Sequence, residues 1–289
     1  MNIWLHSARP KTLPAAVIPV MLGSALAAHD GVFQLFPAFV CLTFALLIQI
    51  ATNFANDYCD FIKGADTAER IGPKRAVASG EISAGTMRRA TVVTFALAFA
   101  VGLLLVPYGG IGLILIGVLS VLCGYAYTGG PYPLGYNGLG DVFVFIFFGL
   151  VAVMATYFVQ AGSLTWQSFA VACVPGLLSV NLLIVNNYRD YETDRKTGKR
   201  TLIVRFGRGF GRTQHFLSHT VCLLVPLILW ASGMRFWVLL SLLLTPLAYR
   251  IHRNLLQADT GAEYIGVLGQ TALYLMLFAT FFSVGLLLA

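Results

Sequence analysis

Residues 35–66 read LFPAFVCLTFALLIQIATNFANDYCDFIKGAD. Positions 35–56 carry no charge and are long enough to cross a bilayer, which takes about 20 residues. Asp57, Asp60, Lys63 and Asp66 then follow at once. A second stretch repeats the plan: the apolar run 167–189 closes on Asn186-Asn187-Tyr188-Arg189-Asp190-Tyr191-Glu192-Thr193-Asp194. The chain otherwise avoids carboxylates. Of its 12 Asp and Glu, seven (Asp57, Asp60, Asp66, Glu69, Asp190, Glu192 and Asp194) lie in these two stretches or within three residues of them. A carboxylate at the end of a membrane helix costs free energy unless a cation balances it. A metal site shared between the two clusters accounts for both.

Composition agrees with a membrane chain. Hydrophobic residues make up 58% and charged residues only 11%, against roughly 25% charged in a soluble domain. An integral membrane protein follows. The cysteines (Cys41, Cys59, Cys123, Cys173, Cys222) are odd in number and scattered, with no CxxC, which argues against a disulfide framework and against a zinc site. The start, Trp4-Leu5-His6-Ser7-Ala8-Arg9-Pro10-Lys11, is too polar and short to read as a cleavable signal. A net charge of +7 invites a nucleic-acid partner, but the basic residues sit in loops between apolar runs. Positive-inside topology explains them better.

Nine apolar runs qualify as spans: roughly 12–29, 35–56, 88–107, 110–127, 141–160, 167–189, 214–232, 235–252 and 266–287. With a cytoplasmic amino terminus, nine spans put 18 of the 19 Lys and Arg inside and leave only Arg235 outside. Losing one span would reverse much of that charge, against the positive-inside rule. The expected architecture is therefore all-α: one domain over residues 1–289, a single bundle of nine transmembrane helices. Both acidic clusters would face the cytoplasm of the cell's cytoplasmic (inner) membrane, under a cap of loops.

Within the first cluster Asn53, Asn56, Asp57 and Asp60 recur at three and four residues and share a helix face. Gly64 reads as a helix stop, leaving Asp66 on the loop beyond. In the second, Asn186, Asn187, Asp190 and Asp194 line a face and Gly198 ends the helix. Five aspartates (Asp57, Asp60, Asp66, Asp190, Asp194) with no His or Cys select Mg²⁺ or Ca²⁺ over zinc, and Mg²⁺ completes its shell with substrate phosphates. Basic residues follow both clusters: Lys63, Arg70, Lys74 and Arg75, then Lys196, Lys199, Arg200 and Arg205. Aspartates for metal and cations for anionic oxygen are the layout a diphosphate needs. No P-loop or dinucleotide fingerprint appears. A single such cluster is usually a solvated helix cap, and a transporter would place its acids nearer the midplane. Two alike on one membrane side favour an enzyme.

At Asn56-x3-Asp60-x5-Asp66 and Asn187-x2-Asp190-x3-Asp194 the chain resembles the UbiA superfamily of intramembrane aromatic prenyltransferases. It is most similar to the branch acting on 1,4-dihydroxy-2-naphthoate in the menaquinone pathway. Carriers of that likeness are Arg9-Pro10-Lys11-Thr12-Leu13-Pro14, Arg70-Ile71-Gly72-Pro73, Tyr127-Thr128-Gly129-Gly130-Pro131-Tyr132-Pro133-Leu134-Gly135-Tyr136 and Gly198-Lys199-Arg200-Thr201-Leu202. The resemblance implies Mg²⁺-dependent transfer of a polyprenyl group from an allylic diphosphate to an aromatic acid, with no nucleic acid and no obligatory protein partner. It implies metal and catalytic roles around Asp60 and Asp190, with the Tyr127 ring facing an allylic cation. Asn53, Asn56, Lys63, Lys74, Arg75, Asn187, Lys199 and Arg200 would contact substrate, and Arg9 or Lys11 the acceptor carboxylate. One departure stands out: Gly64 occupies the position where the superfamily often has a third acid. Which of Asp57, Asp60 and Asp66 touches metal stays open, as does a different acceptor such as 4-hydroxybenzoate.

Overall fold

The computed structural model describes residues 3–65 and 75–289. Every regular element among them is helical. In chain order these are α1 (Ile3–Ser7), a 3₁₀ turn (Pro10–Thr12), α2 (Pro14–His29), α3 (Leu35–Ile62), α4 (Ala84–Leu103), α5 (Val106–Gly109) and α6 (Gly112–Ala126). Then come a 3₁₀ turn (Gly135–Asn137), α7 (Gly140–Val144), a π-helical stretch (Phe145–Val151), α8 (Ala152–Ala161), α9 (Trp166–Arg189), α10 (Tyr191–Lys196) and α11 (Leu202–Ala231). A 3₁₀ segment (Phe236–Leu244), α12 (Thr245–Gln257) and α13 (Gly261–Leu288) complete the chain.

Six helices among the described residues are long and apolar enough to cross a membrane: α3, α4, the continuous Gly140–Ala161, α9, α11 and α13. The protein is an integral membrane protein. The other expected spans differ in form. Residues 3–29 make a pair bent by 49° at Leu13, because Pro10 and Pro14 withhold backbone N–H groups there. Gly112–Ala126 is shorter than a full crossing. The expected 235–252 run is a 3₁₀ segment leading into α12, not one α-helix. Span ends also move. α3 continues to Ile62, carrying the first acidic cluster on its last turns. α11 begins at Leu202 and breaks at Gly207, whose φ of 82° only glycine adopts readily.

Local chemistry explains where helices begin. Thr165 and Thr260 form capping boxes with Ser168 and Glu263, and Ser83 and Thr201 accept backbone N–H groups at the starts of α4 and α11. Helices α2, α9 and α13 meet along the middle of the bundle, where Leu22, Leu26, Leu178, Ile184, Tyr274, Phe278 and Phe282 are fully buried. Helices α3, α4 and α6 pack together beside α2 and α8.

The π stretch lies on α9 with almost no gap. A Cβ added to Gly176 would sit 2.8 Å from the Phe145 ring and 3.1 Å from the Gly149 Cα. Small residues let two membrane helices approach this closely. Gly176→Val should therefore destabilise the bundle by about 1–3 kcal/mol, read as a lowered thermal midpoint of the purified protein in detergent. An unchanged midpoint would show that the two backbones separate without cost.

Candidate active site

Both acidic clusters end in the same local structure. After α3, the Ala65 N–H bonds the Asp60 carbonyl (2.9 Å) and the Gly64 N–H bonds Phe61. After α10, the Lys199 N–H bonds the Asp194 carbonyl (2.9 Å) and the Gly198 N–H bonds Arg195. These are paired Schellman closures, with Gly64 (φ 66°) and Gly198 (φ 76°) in the left-handed position that favours glycine. Asp60 and Asp194 thus occupy equivalent places, four residues before the glycine of each helix stop. One expectation is corrected. The second cluster is not one helical face, because α9 ends at Arg189 and Asp190 (φ −90°, ψ 8°) forms the joint with α10.

The loop between α6 and α7 ties the clusters together through Tyr136. Its hydroxyl donates to Asp60 Oδ1 at 2.6 Å. Its ring carries Lys63 Nζ at 5.1 Å and Lys199 Nζ at 4.5 Å from the centroid, and its carbonyl accepts the Arg200 N–H at 2.6 Å. First-cluster and second-cluster cations therefore share one aromatic ring. Lys63 Nζ also donates to the Thr128 carbonyl at 2.6 Å, and the Thr128 hydroxyl donates to Asn56 Oδ1. Tyr127, half-buried, packs its ring against Gly135 and its hydroxyl against Gly140. The carboxylates of Asp141, Asp60 and Asp194 lie within its electrostatic reach.

Each described aspartate has its own partners. Buried Asp60 pairs with Arg75 Nη2 at 2.9 Å. Asp190 takes both oxygens to Arg189, each at 2.7 Å. Asp194 is buried and, among the described residues, its one ion-pair partner is Lys199 Nζ at 3.8 Å. Burial pushes its carboxyl up to about 6; Lys199 opposes this, while Asp190 and Asp60 add to it. Asp57 lies deeper and holds the chain beyond the first cluster, accepting the Ala76 and Val77 N–H groups at 3.2 Å each. Asn53 donates to the Ala8 carbonyl (2.9 Å) and to Thr12 (3.0 Å), fastening the amino-terminal segment. Arg9, on that segment, has φ 52°, a strained left-handed conformation for a residue with a Cβ.

The structure thus gathers Asn56, Asp60, Lys63, Arg75, Tyr127, Lys199 and the Arg200 backbone around the Tyr136 loop, with Asp194 held at Lys199. Asn53 bonds instead to the Ala8 carbonyl and the Thr12 hydroxyl, and Asp57 to the Ala76 and Val77 backbone. Asn187 is half-buried, while Lys11 and the Arg200 side chain are exposed. Asp66 and Lys74 lie outside the described residues. Among the described residues, no three acids, histidines or cysteines already form a metal cage. Tyr136 and Arg189 were not among the expected site residues. The signal for Arg189 was its adjacency to Asp190; Tyr136 stands in the 127–136 block that carries the family likeness, but only the loop's fold shows what it touches.

Deeper in the bundle lies an apolar cavity of about 130 Å³. It runs along α3 from Gln49 to Cys41, walled by Phe44, Phe99, Leu113, Phe147 and Val159.

The profile of the UbiA prenyltransferase family matches residues 16–264. The chain belongs to the UbiA prenyltransferase family. It is 41% identical over 229 residues to the 1,4-dihydroxy-2-naphthoate octaprenyltransferase of Escherichia coli (strain K12), covering 76% of this chain and 74% of that one. To the protein of the same description from Haemophilus influenzae it is 35% identical over 297 residues, covering 100% and 96%. The UbiA fold extends to a homologue from Archaeoglobus fulgidus solved with GPP and Mg²⁺: TM-score 0.67 at 16% identity, covering 98% of this chain and 100% of that one.

Proposed function

We propose that this UbiA-family chain transfers a polyprenyl group from an allylic polyprenyl diphosphate to 1,4-dihydroxy-2-naphthoate, releasing diphosphate and CO₂ and giving demethylmenaquinol. The observation that carries this reading is the Tyr136 loop, which joins cations of both clusters to Asp60, on the same helix whose Gln49 lines the apolar cavity. The acceptor follows from the naphthoate transferases that match nearly the whole chain.

Mg²⁺ fits the residues present: Asp60, Asp190 and Asp194 offer hard carboxylate oxygens, and the buried Asp194 carboxylate stands 3.8 Å from the Lys199 ammonium, beyond hydrogen-bond distance. When bound it would neutralise the diphosphate and stabilise it as a leaving group. Lys63, Arg75, Lys199 and Arg200 share that negative charge, with Lys74 as a further candidate and Asp66 as a further candidate metal ligand. The cavity takes the prenyl chain and keeps water from the allylic carbon. As the C–O bond breaks, its electron pair leaves with the diphosphate, and the rings of Tyr127 and Tyr136 face the cationic carbon. A ring carbon of the acceptor then forms the new C–C bond, and the electrons of the lost carboxylate bond restore aromaticity. Arg9 or Lys11 meets the acceptor carboxylate.

The nine-span topology, with the amino terminus and both clusters on the cytoplasmic side of the cytoplasmic (inner) membrane, belongs to the same proposal and is supported by the charge distribution. An acceptor panel tests the function: membranes, Mg²⁺, a polyprenyl diphosphate and each aromatic acid in turn. Product is expected with dihydroxynaphthoate and not with 4-hydroxybenzoate. The reverse preference would overturn the acceptor assignment.

A further inference from the structure

Helix α3 carries a polar stripe at four-, three- and four-residue spacing: Gln49, Asn53, Asn56 and Asp60. Gln49 is its deepest member. The Thr12 hydroxyl settles how that amide is oriented. Its single proton goes to the Arg9 carbonyl at 2.9 Å. It must therefore accept from Asn53 Nδ2 at 3.0 Å and from Gln49 Nε2 at 3.2 Å. With its NH₂ turned to Thr12, Gln49 presents Oε1 elsewhere, and among the described residues that oxygen has no hydrogen-bond donor.

Gln49 also lines the apolar cavity, at the end nearest Asp60. The other hydroxyls on that wall, Ser120 and Thr156, donate to carbonyls of their own helices. A fixed amide oxygen in an apolar wall selects an O–H or N–H donor on whatever enters, since leaving it unpaired costs free energy. Resting on the function proposed above, we propose that Gln49 Oε1 accepts a hydrogen bond from a ring hydroxyl of the aromatic acceptor, fixing the ring at the cavity mouth.

The chemistry singles out one hydroxyl. In 1,4-dihydroxy-2-naphthoate the 1-hydroxyl is bonded internally to the neighbouring carboxylate, which leaves the 4-hydroxyl free to donate. Drawing on that proton raises the ring's electron density, which attack through carbon requires. At 1.5 Å per residue Gln49 lies roughly 16 Å along the helix from Asp60. That leaves room for diphosphate, allylic carbon and a bicyclic ring in line. Gln49 is then a substrate-binding residue, and Thr12 and Asn53 are positioning residues that act through it.

The test uses purified full-length protein with Mg²⁺ and saturating polyprenyl diphosphate. In the wild type, the 4-O-methyl ether of the acceptor should compete about tenfold or more weakly than the parent binds. Gln49→Leu should raise the acceptor KM by a similar factor, leave the diphosphate KM unchanged and erase the preference for the free hydroxyl. Gln49→Met replaces it if the leucine variant does not fold; the wild-type comparison needs no variant. Equal binding of ether and parent, or an unchanged preference in the variant, overturns the inference while leaving the transferase reading intact. No product from the wild type with any aromatic acceptor overturns both.

Discussion

Asp194→Ala is expected to abolish prenyl transfer while leaving the protein folded and no less stable. Asp194 is buried, and its nearest cation stands 3.8 Å away, beyond hydrogen-bond reach. A carboxylate in that position burdens the fold, so deleting it relieves the bundle. Its cost is offset only when the anion faces a stronger cation than Lys199. Removing one preorganised electrostatic group from a charge-developing site typically lowers kcat by about 10²–10³, and a metal ligand on the leaving-group side should reach the upper end. Asp190→Ala should behave alike in activity. Asp60→Ala should lose activity too, but with a fold penalty: it removes a buried 2.9 Å ion pair with Arg75 and the acceptor of the Tyr136 hydroxyl, and deleting one partner of a buried pair is destabilising. Turnover and thermal midpoint measured on the same preparations separate the two effects. Near-normal turnover in all three variants would remove the metal–diphosphate account.

Much of this was legible in the chain. The apolar runs fixed an all-helical membrane protein, because a bilayer demands long uncharged stretches whatever their packing. The two acidic clusters were conspicuous because carboxylates are so rare here, and Gly64 and Gly198 marked both helix stops correctly. What spacing could not show was the work each polar side chain does at home. Asn53 and Asp57 share the helical register of Asp60, yet one fastens Ala8 and Thr12 and the other the backbone at Ala76 and Val77. Those partners come from segments remote in sequence. The break at Asp190 was hidden because Tyr191–Lys196 has ordinary helical composition. Tyr136 was hidden because its importance comes from a loop that folds back between two helix ends. Gln49 was visible in principle, one helical step beyond Asn53, but it stands inside an apolar run and only the Thr12 hydrogen bonds give its amide a direction.

Chelation should have the second large effect. Asp60, Asp190 and Asp194 are held apart by Arg75, Arg189 and Lys199. Four basic side chains at the Tyr136 loop do not by themselves offset a diphosphate and three carboxylates. A hard divalent cation is needed to bring anion and acids together. Excess EDTA should therefore stop turnover, and added Mg²⁺ should restore it.

Calorimetric titration of a short prenyl diphosphate into the purified protein, with and without Mg²⁺, goes directly to whether the two clusters make one metal–diphosphate site. Binding in Mg²⁺ that weakens by about a hundredfold or more in EDTA, a loss of near 3 kcal/mol, and that fails equally in Asp60→Ala and Asp194→Ala, is the predicted result. Binding of equal strength in excess chelator, or binding that depends on only one of the two clusters, would contradict it.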